Sequence, residues 1–136
     1  MYLQLAKYLF SSFSTERLFT GFPQEDSKST YSVWRDEDDY RIDWSRSSEE
    51  ILHFINCLSF PYKGASTICN KKIIRIIDAT IEVDVCVVNR DIGKVLFISG
   101  KNPVIICGTG LLCITLATDE KGNNILPFEN FRVRLK

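Results

Sequence analysis

Lys72-Ile73-Ile74-Arg75-Ile76-Ile77-Asp78-Ala79-Thr80-Ile81-Glu82 is the stretch that decides the fold. It is rich in isoleucine, and β-branched side chains fit a pleated surface better than a helix. Ser66 to Cys69 precedes it across an Asn70-Lys71 turn, so the two segments read as a β-hairpin. Downstream, Lys94 to Ser99, Val104 to Cys107 and Leu111 to Ala117 read as strands. They are punctuated by Gly100-Lys101-Asn102-Pro103 and by Gly108-Thr109-Gly110. Five short strands with tight glycine turns close best as a small Greek-key or OB-like barrel, which removes exposed sheet edges. A short helix or turn over Pro127 to Phe131 would cap it.

Upstream the pattern turns helical. Ser47-Ser48-Glu49-Glu50 opens a helix with a capping box, in which the Ser47 hydroxyl accepts from the Glu50 amide and the Glu50 carboxylate reaches back. Ile51, Ile55 and Leu58 then share one face, Leu52 flanks them, and Phe60-Pro61 ends the helix. Tyr2, Ala6, Leu9, Phe10 and Phe13 give a second, N-terminal amphipathic helix whose apolar stripe needs a partner. The turn-prone run from Gly21 to Ser27 follows it. Pro23 to Asp39 reads as an extended connector ending in the acidic run Asp36 to Asp39, a solvated loop. The fold class is therefore α+β, mainly β: a small OB-like barrel preceded by a connector and two helices.

At 136 residues with 45% hydrophobic content, the chain has material for one core. Its 17 basic and 17 acidic residues cancel, so no global field draws it to nucleic acid or to an anionic membrane. The N-terminal stretch lacks a basic leader and carries Gln4 and Lys7, so neither a signal peptide nor a membrane span is expected, and the cytoplasm is the expected compartment. Cys57, Cys69, Cys86, Cys107 and Cys113 lack CxxC spacing and are expected to be reduced core residues.

The candidate chemistry is sparse. The single histidine, His53, has no acid or nucleophile spaced to join it and reads as a surface or rim residue. Gly108-Thr109-Gly110 joins two strands and precedes no helix, which argues against a phosphate loop. No catalytic, cofactor-binding or metal-ligating residue is assigned. Local cation groups remain as candidate polyanion contacts: Lys71, Lys72 and Arg75 on the hairpin, and Arg132 and Arg134 on the alternating tail.

The run from Pro23 to Ala65 resembles the region joining the two domains of folate-dependent formyltransferases, the family of methionyl-tRNA formyltransferase and the sugar N-formyltransferases. The resemblance is carried by Pro23-Gln24-Glu25-Asp26-Ser27 with Thr30-Tyr31, Arg41-Ile42-Asp43-Trp44-Ser45, Ser48-Glu49-Glu50-Ile51 and Pro61-Tyr62-Lys63-Gly64-Ala65. It continues through Gly93-Lys94-Val95 and Cys107-Gly108-Thr109-Gly110-Leu111. It implies a C-terminal barrel (66–136) behind a connector and capped helix (23–65), with residues 1–22 similar to the last helix of an absent catalytic domain. Formyltetrahydrofolate and the catalytic asparagine, histidine and aspartate would belong to that absent domain. The implied role is substrate positioning or assembly, with a possible homodimer among the partners and no membrane. Tyr62 in place of the tryptophan of the tRNA branch, the neutral chain and the ending Phe131 to Leu135 look more like sugar N-formyltransferases. A nucleotide-linked amino sugar is thus the first expectation, and tRNA contact or a free-standing OB-like nucleic-acid binder the alternatives. Arg41, Asp43, Trp44, Pro61, Tyr62 and Gly64 are the motif residues expected to act in structure or docking.

Overall fold

The computed structural model describes residues 2–14, 23–128, 130 and 132–136. The chain divides into two compact units, residues 1–33 and 34–136.

In the first unit, helix α1 (Tyr2–Ser14) forms where the apolar spacing predicts it. The Ser11 and Ser12 hydroxyls donate back to the Tyr8 carbonyl at 2.8 and 2.9 Å, a local bond that short hydroxyl side chains make readily inside helices. Asp26–Lys28 forms a single 3-10 turn; Gly21 and Phe22, the start of the expected turn-prone run, lie outside the described residues.

The second unit is the barrel with its connector. Helix α2 (Ser48–Leu58) starts on the expected capping box: the Glu50 amide donates to Ser47 Oγ and the Ser47 amide donates to Glu50 Oε2, both at 3.2 Å. A cap of this kind is worth about 1 kcal/mol. The helix buries Ile51, Ile55 and Leu58 and lies chiefly on the hairpin formed by β1 (Ala65–Cys69) and β2 (Lys72–Glu82). Asn70 and Lys71 both take positive φ, 50° and 66°, the conformation that a two-residue hairpin turn requires.

Strands β3 (Val95–Ser99), β4 (Asn102–Ile106) and β5 (Leu111–Thr118) complete an antiparallel sheet in the order β1-β2-β5-β4-β3. β3, β4 and β5 follow one another as hairpins while β2 lies beside β5, which is Greek-key connectivity. The last residues close the sheet into a barrel. Ile68 and Lys136 exchange backbone hydrogen bonds at 2.8 and 3.1 Å, and the Leu135 amide donates to the Gly93 carbonyl at 2.8 Å. The tail therefore links the outer edge of β1 to the approach to β3.

Ile51, Ile55, Leu58, Ile76, Leu112 and Ile114 lie at the heart of the main core, each 0–1% exposed. Fully burying one such side chain contributes about 1.5–3 kcal/mol. A second, smaller cluster of Val104, Ile106, Leu111 and Cys113 is packed by Val87 and Leu96.

Two expectations need correction. Cys69, Cys107 and Cys113 are buried and free, but Cys57 and Cys86 are exposed, because Cys57 falls off the buried face of α2 and Cys86 lies beyond the end of β2. Pro127, Phe128 and Asn130 form no helix over the barrel; Glu129 and Phe131 lie outside the described residues.

Candidate functional site

The connector from Glu37 onward is hydrogen-bonded into the barrel. The Ile42 amide donates to the Ser66 carbonyl at 2.8 Å, and Arg41 and Ser66 form a parallel bridge. Trp44 is 4% exposed, and its indole Nε1 donates to Thr67 Oγ1 at 3.0 Å; Thr67 Oγ1 in turn donates to the Lys136 carbonyl at 3.0 Å. A buried indole N–H needs such an acceptor. Asp43 accepts from the Ser45 amide at 3.0 Å and from the Ser45 hydroxyl at 2.6 Å, and these bonds hold its carboxyl below the usual range.

The glycine turn after β4 receives the connector. The Gly108 amide donates to the Trp44 and Arg46 carbonyls, each at 2.9 Å, and the Ser48 amide donates to the Thr109 carbonyl at 2.8 Å. A Cβ at Gly108 would collide with the Ser45 carbonyl, so close backbone approach requires glycine there. Gly64, at φ 89°, similarly faces the Ile77 side chain and the Ile76 carbonyl. The Gly64 amide donates to the Leu58 carbonyl at 2.9 Å and ties the end of α2 to β1.

Around this seam the sheet, the connector and the turn after α2 bring together cations and tyrosines. Arg75, 8% exposed on β2, places Nη2 2.6 Å from Glu37 Oε1, while its Nη1 is buried without a hydrogen-bond partner. Lys63 Nζ lies 3.9 Å from Glu37 Oε2. Tyr40 is approached by both cations, Lys63 at 5.8 Å and Arg75 at 5.9 Å from its ring centroid. Arg35 lies over Tyr62 at 5.6 Å, and Arg41 pairs with Asp38 at 3.1 Å. The close ion pair with Arg75 is the main cause that holds the Glu37 carboxyl below its ordinary value, with Lys63 and Arg41 adding to it. Three cations thus pair with two carboxylates, Arg75 and Lys63 with Glu37 and Arg41 with Asp38, while Arg35 lies over the half-exposed Tyr62 ring, and Trp34, next to Arg35 in sequence, is fully exposed. Such a surface favours anions and flat rings.

The other sequence candidates go elsewhere. Pro61 is exposed in the turn before β1. Lys71 and Lys72 are exposed at the hairpin tip; Lys72 lines a cleft of about 590 Å³ with Cys69, Asn70, Ile74, Asp119 and Phe128, whereas Arg75 faces Glu37 and Tyr40. Arg134 pairs with Asp91 at 3.0 Å, and Arg132 and Arg134 stand outward while Val133 and Leu135 turn in. The acidic run is only partly a solvated loop, because Glu37 turns towards Arg75. An arginine between Ile74 and Ile76 on a buried strand was the signal for an inward-turned carboxylate.

His53 is exposed, with its Nε2 3.5 Å from Cys57 Sγ, a pairing four residues apart on α2 that spacing alone could have found. Among the described residues no group of three or more His, Cys, Asp or Glu could hold a metal ion, and no helix is long and apolar enough to cross a membrane. On the rim of the 590 Å³ cleft, Asp119 accepts from the Lys121 and Asn123 amides and from Asn123 Nδ2.

Comparison with known proteins agrees with this architecture. Residues 35–133 match the family model described as formyl transferase, C-terminal domain. The chain is 32% identical over 98 residues to the methionyl-tRNA formyltransferase of Treponema denticola (69% of this chain) and 30% identical over 95 residues to that of Clostridium novyi (70% of this chain). It spans 30% of the length of each. In fold it is similar to HypX from Aquifex aeolicus, at a TM-score of 0.69 and 18% identity, covering 92% of this chain and 21% of that one. The matched span holds the connector from Glu37 onward together with the Gly108 turn that receives it, and the chain belongs to the formyl transferase C-terminal domain family.

Proposed function

We propose that this chain is the non-catalytic, substrate-side domain of a formyltetrahydrofolate-dependent formyltransferase, and that it positions a nucleotide-linked amino sugar for a catalytic formyltransferase domain. The observation that carries the reading is the cluster of Arg35, Arg41, Lys63 and Arg75 with Tyr40 and Tyr62, built on a connector hydrogen-bonded to the barrel. A nucleotide diphosphate would meet Arg35, Arg41 and Lys63, and its base would lie against an exposed ring. Arg75, the more buried partner of its pair with Glu37, holds the surface in place. The domain then acts by orientation: formyl transfer from the folate needs the acceptor amine held close to the donor carbon, and restricting it lowers the entropic part of the barrier. Working beside folate chemistry, the chain would act in the cytoplasm.

A second reading is contact with tRNA. Both relatives are methionyl-tRNA formyltransferases, and the same cations would then bind backbone phosphates. Titration calorimetry with a nucleoside diphosphate amino sugar and, separately, with tRNA at low and moderate salt tests the two. Saturable binding of the sugar nucleotide, lost in Lys63→Ala, supports the first reading. Binding of tRNA alone, weakening steeply with salt, replaces it with the second. No binding of either removes both.

A further inference from the structure

We infer that the cleft of about 590 Å³ between the β1–β2 hairpin and residues 124–130 is a binding site for a small monoanion, a carboxylate carried on a flat apolar body. Its volume lies within the roughly 300–1,000 Å³ of small-molecule pockets. Both walls are held in place. Cys69 and Lys72 are paired with each other at the end of the hairpin ladder. Opposite them, the Ile125 amide donates to the Ala117 carbonyl at 3.0 Å and Asn124 bridges Thr118, which pins the irregular segment to β5.

The apolar part of the lining belongs to the barrel core. Ile74 and Val133 are each 6% exposed, and Leu126 and Phe128 pack against the same cluster while staying partly open. An apolar ring laid against them leaves water without giving up a hydrogen bond, and the Phe128 ring offers it a stacking partner.

The polar part of the lining is biased towards donors. Asn124 Oδ1 accepts from the Leu126 amide and Asn130 Oδ1 from the Arg132 amide, each at 3.0 Å. These bonds fix which way each side-chain amide points, and both Nδ2 groups are left without a protein acceptor among the described residues. Lys72 Nζ likewise has no ion-pair partner among them. Asp119, the one carboxylate among the described lining residues, already holds three donors of its own loop, so it does not answer Lys72. What the cleft lacks is an acceptor. A carboxylate supplies it through charge-assisted bonds, and a single unpaired cation matches one negative charge better than the two of a phosphate monoester. None of Arg35, Arg41, Lys63 and Arg75 lines this cleft, so the inference is independent of the formyl-transfer reading.

Titration of the intact chain with naphthoate, naphthamide and naphthylmethylammonium, followed by amide NMR, tests it. Naphthoate should bind saturably and shift the side-chain amide resonances of Asn124 and Asn130. Naphthamide, equal in shape but uncharged, should bind at least tenfold more weakly, and the ammonium probe should not bind. Lys72→Met should bring naphthoate down to the affinity of naphthamide, whereas Lys71→Met, on the same turn but outside the lining, should leave it unchanged. Absence of saturable naphthoate binding overturns the inference. So does equal binding of naphthoate and naphthamide, full naphthoate affinity in a folded Lys72→Met, or resonance shifts confined to the connector from Arg35 to Trp44. If Lys72→Met does not fold, the three probes and the shifted resonances in the unaltered chain decide between the same outcomes.

Discussion

The Glu37 carboxylate meets the Arg75 guanidinium at 2.6 Å, joining the connector to the second strand of the barrel across 38 positions of sequence. Arg75 is 8% exposed, and Tyr40 covers it. A cation at that depth is tolerable only with its partner in place, so this ion pair fixes where the connector lies.

Glu37→Ala should therefore destabilise the chain by about 1–2 kcal/mol in urea denaturation. That is less than the roughly 3–5 kcal/mol of a fully buried pair, because Glu37 keeps 39% of its side chain in solvent. The pH dependence has a definite sign. The folded carboxyl titrates below its ordinary 4.5, so the stability it contributes is present above that pH and is lost as the pH falls through the lowered value. Glu37→Gln should flatten the acid limb of the stability profile, and an unchanged limb would contradict the assignment.

Thr67→Val leaves the Trp44 indole N–H buried without its acceptor. A loss of about 1–3 kcal/mol is expected from thermal or urea unfolding. Trp44 fluorescence should shift if the connector lifts from the sheet.

Glycine substitutions separate close approach from backbone strain. Gly100, at φ 65° with open space where a side chain would lie, should cost about 1–2 kcal/mol as Gly100→Ala. Gly108→Ala has no positive φ to strain, yet it drives a methyl into the Ser45 carbonyl and should cost more than Gly100→Ala, with Ser45 to Ser48 losing hydrogen-exchange protection.

The thiols should divide by burial. In native protein, iodoacetamide near pH 8 is expected to label Cys57 and Cys86 and to spare Cys69, Cys107 and Cys113, with all five reacting in urea. Burial pushes the Cys107 thiol up to about 12, so it carries almost no thiolate at that pH. Rapid native labelling of Cys107 would show that the seam opens.

Local periodicity made most of the fold legible. The Lys72–Glu82 strand, the Asn70-Lys71 turn and the Ser47–Glu50 box depend on neighbours in sequence, and each forms as read. The barrel closure by Leu135 and Lys136 was not legible, because nothing in a short alternating tail says which strand edge it will meet. The site was partly legible through the motif from Arg41 to Trp44. The gathering of Arg35, Glu37, Lys63 and Arg75 depends on pairings between segments distant in sequence. The unpaired valines after Glu82 look in sequence like more strand, and only the absence of a ladder among the described residues distinguishes them.

Formyl transfer assayed with and without a catalytic domain tests the central claim most directly. The chain alone, given formyltetrahydrofolate and nucleotide-linked amino sugars, should form no formamide. Joined through its connector to a formyltransferase catalytic domain stripped of its own C-terminal domain, it should lower the acceptor KM, and Lys63→Ala should undo that gain. Turnover by the chain alone would contradict the account.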